Sequence, residues 1–215
     1  MYPYYTAHKH QFQLLLPIGF ATLRVNYRGS SGQGDASIYS LLGNVGNYDV
    51  KDCLNALNSI KSRGFSKVFL NGGSFGGFTV GHIAGISSEF SAVVMRNPLI
   101  DLATKANYAD NTDGCAVEAG FDFTEQGPLS EEQLLAMRRC SPIAHVHKVK
   151  APTAIMLGTN DKRVPHYQGL EYYRRLKANG CEAKLYLYED NHSLSSLSVE
   201  IDNLLNSINW FLQHM

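Results

Sequence analysis

The chain has 215 residues, 44% apolar and 18% charged, with 19 basic and 19 acidic side chains that cancel. That length suits one domain, or part of one, with enough apolar residues for a sizeable core. Zero net charge leaves no electrostatic footprint for nucleic acid or an anionic membrane surface, and no apolar run approaches the roughly 18 residues that span a bilayer.

In chain order, the start Met1-Tyr2-Pro3-Tyr4-Tyr5 lacks the basic and apolar regions of a secretory signal, so the cytoplasm is the expected location. Residues 20–27 read as a strand, ended by Arg28-Gly29-Ser30-Ser31-Gly32, a structural turn. Residues 50–60 follow helical periodicity, with Val50, Cys53, Leu54, Leu57 and Ile60 on one face and Gly64 as the stop. Asp49, Lys51 and Asp52 read as the solvated start of that helix. Val68-Phe69-Leu70 is a short apolar run leading into Asn71-Gly72-Gly73-Ser74-Phe75-Gly76-Gly77, and residues 76–86 form the next helix. Ala92-Val93-Val94-Met95 is a buried strand, followed by a polar, partly helical insert at about 101–149. Residues 152–158 give another strand, 167–178 a helix, 183–188 the last strand and 197–212 a closing amphipathic helix. Strands alternating with helices imply an α/β fold with a mostly parallel sheet covered on both faces. Cys53, Cys115, Cys140 and Cys181 are widely spaced and read as incidental thiols rather than a disulfide framework or zinc site.

Gly72-x-Ser74-x-Gly76 is a weak pattern alone, but a strand before it and a helix after it make it a nucleophile elbow. Asp161 follows a later strand and His192 the last one. The order Ser, Asp, His is that of the α/β-hydrolase triad, and a parallel sheet gathers all three at one edge. Histidine is suited to serve as base and then acid near neutral pH, a role that fits His192, with Asp161 orienting its imidazole. Rival readings are structural: Asp161 capping the turn into Val164-Pro165, and His192 at a helix entry or on the surface. Asp190 is a lesser substitute for Asp161. The glycine-rich stretch lacks the Lys-Ser/Thr of a phosphate loop and the spacing of a dinucleotide site. His145 and His147 read as surface residues, so neither metal nor cofactor is expected.

Further stretches carry a resemblance: Val25-Asn26-Tyr27-Arg28-Gly29-Ser30-Ser31-Gly32, Gly43-Asn44-Val45-Gly46, Asp49-Val50-Lys51-Asp52, Arg96-Asn97-Pro98, Val117-Glu118-Ala119-Gly120-Phe121, Ser141-Pro142-Ile143 and Asp161-Lys162-Arg163-Val164-Pro165. With the elbow and His192, they resemble the catalytic domain of prolyl oligopeptidase-type serine peptidases, especially the acylaminoacyl-peptidase branch, from about residue 12 to the end. The resemblance implies one partial α/β-hydrolase domain over 1–215. It implies removal of an N-acylated residue from short peptides, with Ser74 as nucleophile, Asp161 as orienting acid, His192 as base and the Phe75 backbone N–H as oxyanion donor. Residues 117–121 would border the substrate pocket, and a homo-oligomer is an open possibility.

Measured against that family, the first strands, a His-Gly-Gly-Pro-like loop and the β-propeller are absent, and residues 12–18 resemble the remnant of the helix after that loop. That loop supplies the second oxyanion N–H in α/β-hydrolases. Losing one such donor costs about 100- to 1,000-fold in kcat. The family's sheet also has a strand between residues 20–27 and 68–70, so those two segments must pair directly or leave a gap. A truncated, inactive protein acting by binding or oligomerisation, and a small-molecule esterase, are the alternatives to a peptidase.

Overall fold

The computed structural model describes residues 15–122 and 128–215. Among these, helices α1 (Asp35–Ser40) and α2 (Tyr48–Ile60) precede strand β1 (Phe69–Gly73). Helix α3 (Phe75–Ile86) leads to β2 (Ala92–Arg96). The insert holds α4 (Leu102–Tyr108), α5 (Asp113–Glu118), α6 (Glu131–Arg139) and a 3-10 segment, Pro142–Lys148. Strand β3 (Thr153–Gly158), α7 (Tyr167–Ala178), β4 (Ala183–Tyr188) and α8 (Leu197–Gln213) complete the chain.

The four strands are all parallel and lie in sequence order, β1-β2-β3-β4. Alternation along each strand splits its side chains between two cores. Val93, Met95, Ile155 and Leu157 face Val50 and Leu57 of α2, Val80 and Ile83 of α3, and Tyr172 and Leu176 of α7. Ala92, Val94, Ala154 and Met156 face Trp210 and Phe211 of α8. Placing α3 and α7 on one face is what right-handed crossovers between successive parallel strands require. The insert builds a third cluster, in which Leu102, Cys115 and Met137 pack with Phe78.

Two expectations need correction. Residues 20–27 are not a strand and join no ladder among the described residues. The segment does run alongside β1, with Phe20 packed on Phe69 at one end and Tyr27 stacked on Phe75 at the other. A cavity of about 520 Å³ separates the two; its lining includes residues 19–25, Val68 to Asn71, and Leu54 and Leu57 of α2. Among the described residues the two segments do not pair directly, and of the two alternatives a gap lies between them.

The start of α2 is also not solvated throughout. Asp49 is fully buried, because α2 packs on α3 and turns this carboxylate toward Thr79, whose hydroxyl donates to it at 3.3 Å. Asp52 is instead the acceptor of a two-pronged bond from the Arg28 guanidinium, at 2.9 and 2.8 Å, which locks the Arg28 turn to α2. Within the run 12–18, residues 12–14 lie outside the described residues, and Leu16–Ile18 is a single 3-10 turn.

Candidate active site

Ser74 links β1 directly to α3, with no loop between. The turn is sharp enough that its backbone sits at φ 56°, a region costly for a side-chain-bearing residue. Glycine at 72 makes the turn possible, since a Cβ there would lie 2.2 Å from the carbonyl oxygen of Gly76. Three bonds fix the serine backbone: its N–H donates to the Arg96 carbonyl at 2.9 Å, and its carbonyl accepts the Leu99 N–H at 3.1 Å and the Phe78 N–H at 3.2 Å. The N–H of Phe75 opens α3 and so has no acceptor one turn back in that helix.

Asp161 lies just beyond β3 and His192 just beyond β4, and the shared sheet edge brings both to Ser74. His192 Nδ1 stands 2.6 Å from Asp161 Oδ2, and Nε2 stands 2.9 Å from Ser74 Oγ. A carboxylate accepts only, so the bond to Asp161 keeps the proton on Nδ1 and leaves Nε2 to accept from the serine hydroxyl. The Asp161 side chain is fully buried, while that of His192 is 27% exposed. Burial withholds water from the carboxylate, and the exposed imidazole edge stays open to incoming substrate.

The geometry also matches the rival reading of Asp161, as a cap. Its second oxygen, Oδ1, accepts the N–H groups of Arg163 and Val164 at 2.8 and 2.9 Å, capping the turn. Capping and orienting use different oxygens of one carboxylate. Asp190 does not reach His192; its oxygens accept the N–H groups of Asn191 and Ser196 and shape the loop that carries the histidine.

Residues 117–121 dock against the Gly43-Asn44-Val45-Gly46 loop. The Gly43 N–H donates to the Glu118 carbonyl at 3.0 Å, and the backbones of Gly43 and Gly120 meet so closely that a Cβ at 120 would lie 3.0 Å from the Gly43 Cα. Burial raises the Glu118 carboxyl to about 7, against the opposing pull of the Lys105 ammonium, with Asp49 adding to the rise. Burial likewise raises Asp49 to about 6, although the Gly46, Asp49 and Val50 backbone and Thr79 hydrogen-bond to it. His145 and His147 lie in the Pro142–Lys148 segment, where the His145 ring packs 5.4 Å from that of His82. Among the described residues, no group of three or more His, Cys, Asp or Glu is placed to hold a metal ion. The four cysteines are all free.

Comparison with known proteins places the chain in a family. The model of the prolyl oligopeptidase family matches residues 6–215. The chain belongs to that family. It is 43% identical over 207 residues to the acylamino-acid-releasing enzyme of Sus scrofa, covering 94% of this chain and 28% of that one. The acylamino-acid-releasing enzyme of Arabidopsis thaliana is 40% identical over 205 residues, covering 92% and 27%. Among solved structures, the Pyrococcus horikoshii acylaminoacyl peptidase superposes with a TM-score of 0.87 at 23% identity, over 96% of this chain and 34% of that one, which shows the shared fold. The chain therefore spans little more than a quarter of the length of the curated relatives it matches.

Sequence reading missed Asn97 and Gln168 as organisers of the site's surroundings. Gln168 Oε1 accepts the N–H groups of Ile100 and Asp101, at 2.9 and 2.7 Å, and so shapes the chain leaving β2. An asparagine before proline at a strand end was the available signal for Asn97.

Proposed function

We propose that this chain is a partial catalytic domain of a serine peptidase that releases an N-acylated amino acid from the start of short peptides. The observation that carries this reading is the continuous hydrogen-bonded line from Asp161 through His192 to Ser74. In the proposed reaction, Ser74 Oγ attacks the carbonyl of the acylated residue as His192 Nε2 takes its proton. The oxyanion of the tetrahedral intermediate accepts the Phe75 N–H. His192 then gives its proton to the leaving amine, and the bond to the peptide breaks. Water, deprotonated by the same imidazole, releases the acyl-amino acid and restores Ser74. Asp161 holds the imidazolium through both steps without itself taking the proton.

The substrate class rests on the named relatives, which are acylamino-acid-releasing enzymes. Among the described residues no helix is long and apolar enough to cross a membrane. The test is product analysis with three substrates: an N-acetylated tripeptide, the same peptide with a free amino terminus, and an acetyl ester. The proposal expects release of the acetylated first residue from the first substrate and little turnover of the second. Turnover of the ester alone assigns a small-molecule esterase, and turnover of none by folded protein assigns a non-catalytic role.

A further inference from the structure

Each strand of the sheet delivers one polar residue to the site edge, and Asn97, beyond β2, is the one with no step in the reaction above. It is 1% exposed. Its φ of 40° lies in the left-handed region, where asparagine is tolerated better than most side chains. Both ends of its amide are engaged. Oδ1 accepts the Gly158 N–H at 2.8 Å, at the end of β3. Nδ2 donates to the His192 carbonyl at 2.9 Å and to the Asn191 carbonyl at 3.3 Å. These partners fix the amide's orientation, because a flipped amide would set N–H against N–H and oxygen against two carbonyls.

The residues around Asn97 hold the other reacting partner. Arg96 accepts the Ser74 N–H, Leu99 donates to the Ser74 carbonyl, and Pro98 lies where a Cβ on Gly77 would come within 2.5 Å. Other bonds of the histidine loop run toward β3, as with the Asn160 N–H donated to the Asp190 carbonyl at 3.0 Å. Asn97 links that loop to the bracket gripping the nucleophile. The imidazole spans only 2.9 Å to Ser74 Oγ, so a small shift of the His192 backbone opens that contact.

We propose that Asn97 is a positioning residue: its amide sets the His192 backbone at the distance from Ser74 where Nε2 and Oγ meet. This rests on the hydrolase reading above. The test compares the full chain with Asn97→Gly and Asn97→Asp. Glycine keeps the left-handed backbone and removes the tether. Aspartate keeps the size and the acceptor for Gly158 but, when ionised, turns an oxygen toward the two carbonyls. Three quantities are measured: the rate of labelling by a fluorophosphonate probe across pH, the far-downfield proton resonance of the His192 Nδ1–H, and thermal unfolding. Asn97→Gly is expected to label about 100-fold more slowly than wild type, the loss that a misplacement near 1 Å produces. It should also lose the resonance while still unfolding cooperatively. For Asn97→Asp the deficit against wild type, taken at each pH, should shrink as pH falls, because the protonated carboxyl becomes a donor. Equal rates at every pH, with the resonance kept in Asn97→Gly, would overturn the inference. Failure of wild type to label rejects the hydrolase reading alone. The resonance then decides: its loss in Asn97→Gly supports the positioning role, and its persistence overturns it.

Discussion

Asp161 illustrates how one residue satisfies two demands that look like alternatives in sequence. One oxygen caps the turn after β3 and the other orients His192, so the cap holds the carboxylate where the imidazole needs it. The convergence of Ser74, Asp161 and His192 was legible because all three residues follow strands, and strand ends in a parallel sheet share an edge. Asn97 was not legible as a tether, because its bonds reach across 94 and 95 residues to Asn191 and His192. Asp49 was misread for a different reason: an acidic residue in a first helical turn looks the same whether water or another helix faces it. Its burial carries a pH signature. Folded, the carboxyl keeps its proton up to about pH 6, whereas its ordinary value is 3.8. Between those values the folded state binds more protons than the unfolded one, so this group's contribution to stability falls as pH rises through the window and is flat above it. Asp49→Asn should remove that slope, worth up to about 3 kcal/mol, while Glu118, raised mainly by burial and in smaller part by Asp49, keeps a reduced fall toward pH 7. Thermal unfolding of both proteins from pH 4 to 7 checks this, and identical slopes would show that Asp49 is not the titrating group.

At the scale of elements, the strand-to-helix elbow depends on glycine for space. Gly72→Ala would push a methyl into the Gly76 carbonyl, a backbone atom that cannot step aside. The expected cost is more than about 2 kcal/mol, with loss of probe labelling. Gly114 in α5 makes the contrast. Nothing lies within 4 Å of a Cβ there, and Gly114→Ala should be neutral or stabilising by up to about 1 kcal/mol. Urea titration of both variants against wild type measures the difference, and a similar cost at the two sites would contradict the packing argument. Helices α2, α7 and α8 were readable from the spacing of apolar residues, since their buried faces follow a 3.6-residue period, whereas α3 is buried continuously from Gly77 to Gly85 and was legible from its place after the elbow. Residues 20–27 were not, although their composition suits a strand. Strand status requires a neighbour's backbone at hydrogen-bonding distance, and among the described residues a cavity of about 520 Å³ lies between this segment and β1.

Over the whole molecule, the order β1-β2-β3-β4 converts distance in sequence into adjacency: residues 74, 97, 161 and 192 each leave a different strand at one edge. The two cores on either face hold those strands in register, so the site's spacing is a property of the sheet rather than of any loop alone. Membership of the prolyl oligopeptidase family accords with this arrangement, and the proposed chemistry follows from it. The most direct test is intact-mass analysis of the 215-residue chain after exposure to a fluorophosphonate probe, with peptide mapping of the adduct and Ser74→Ala as control. The account predicts a single adduct on Ser74, absent from Ser74→Ala. A folded wild-type chain that carries no adduct, or carries it on another residue, would contradict it.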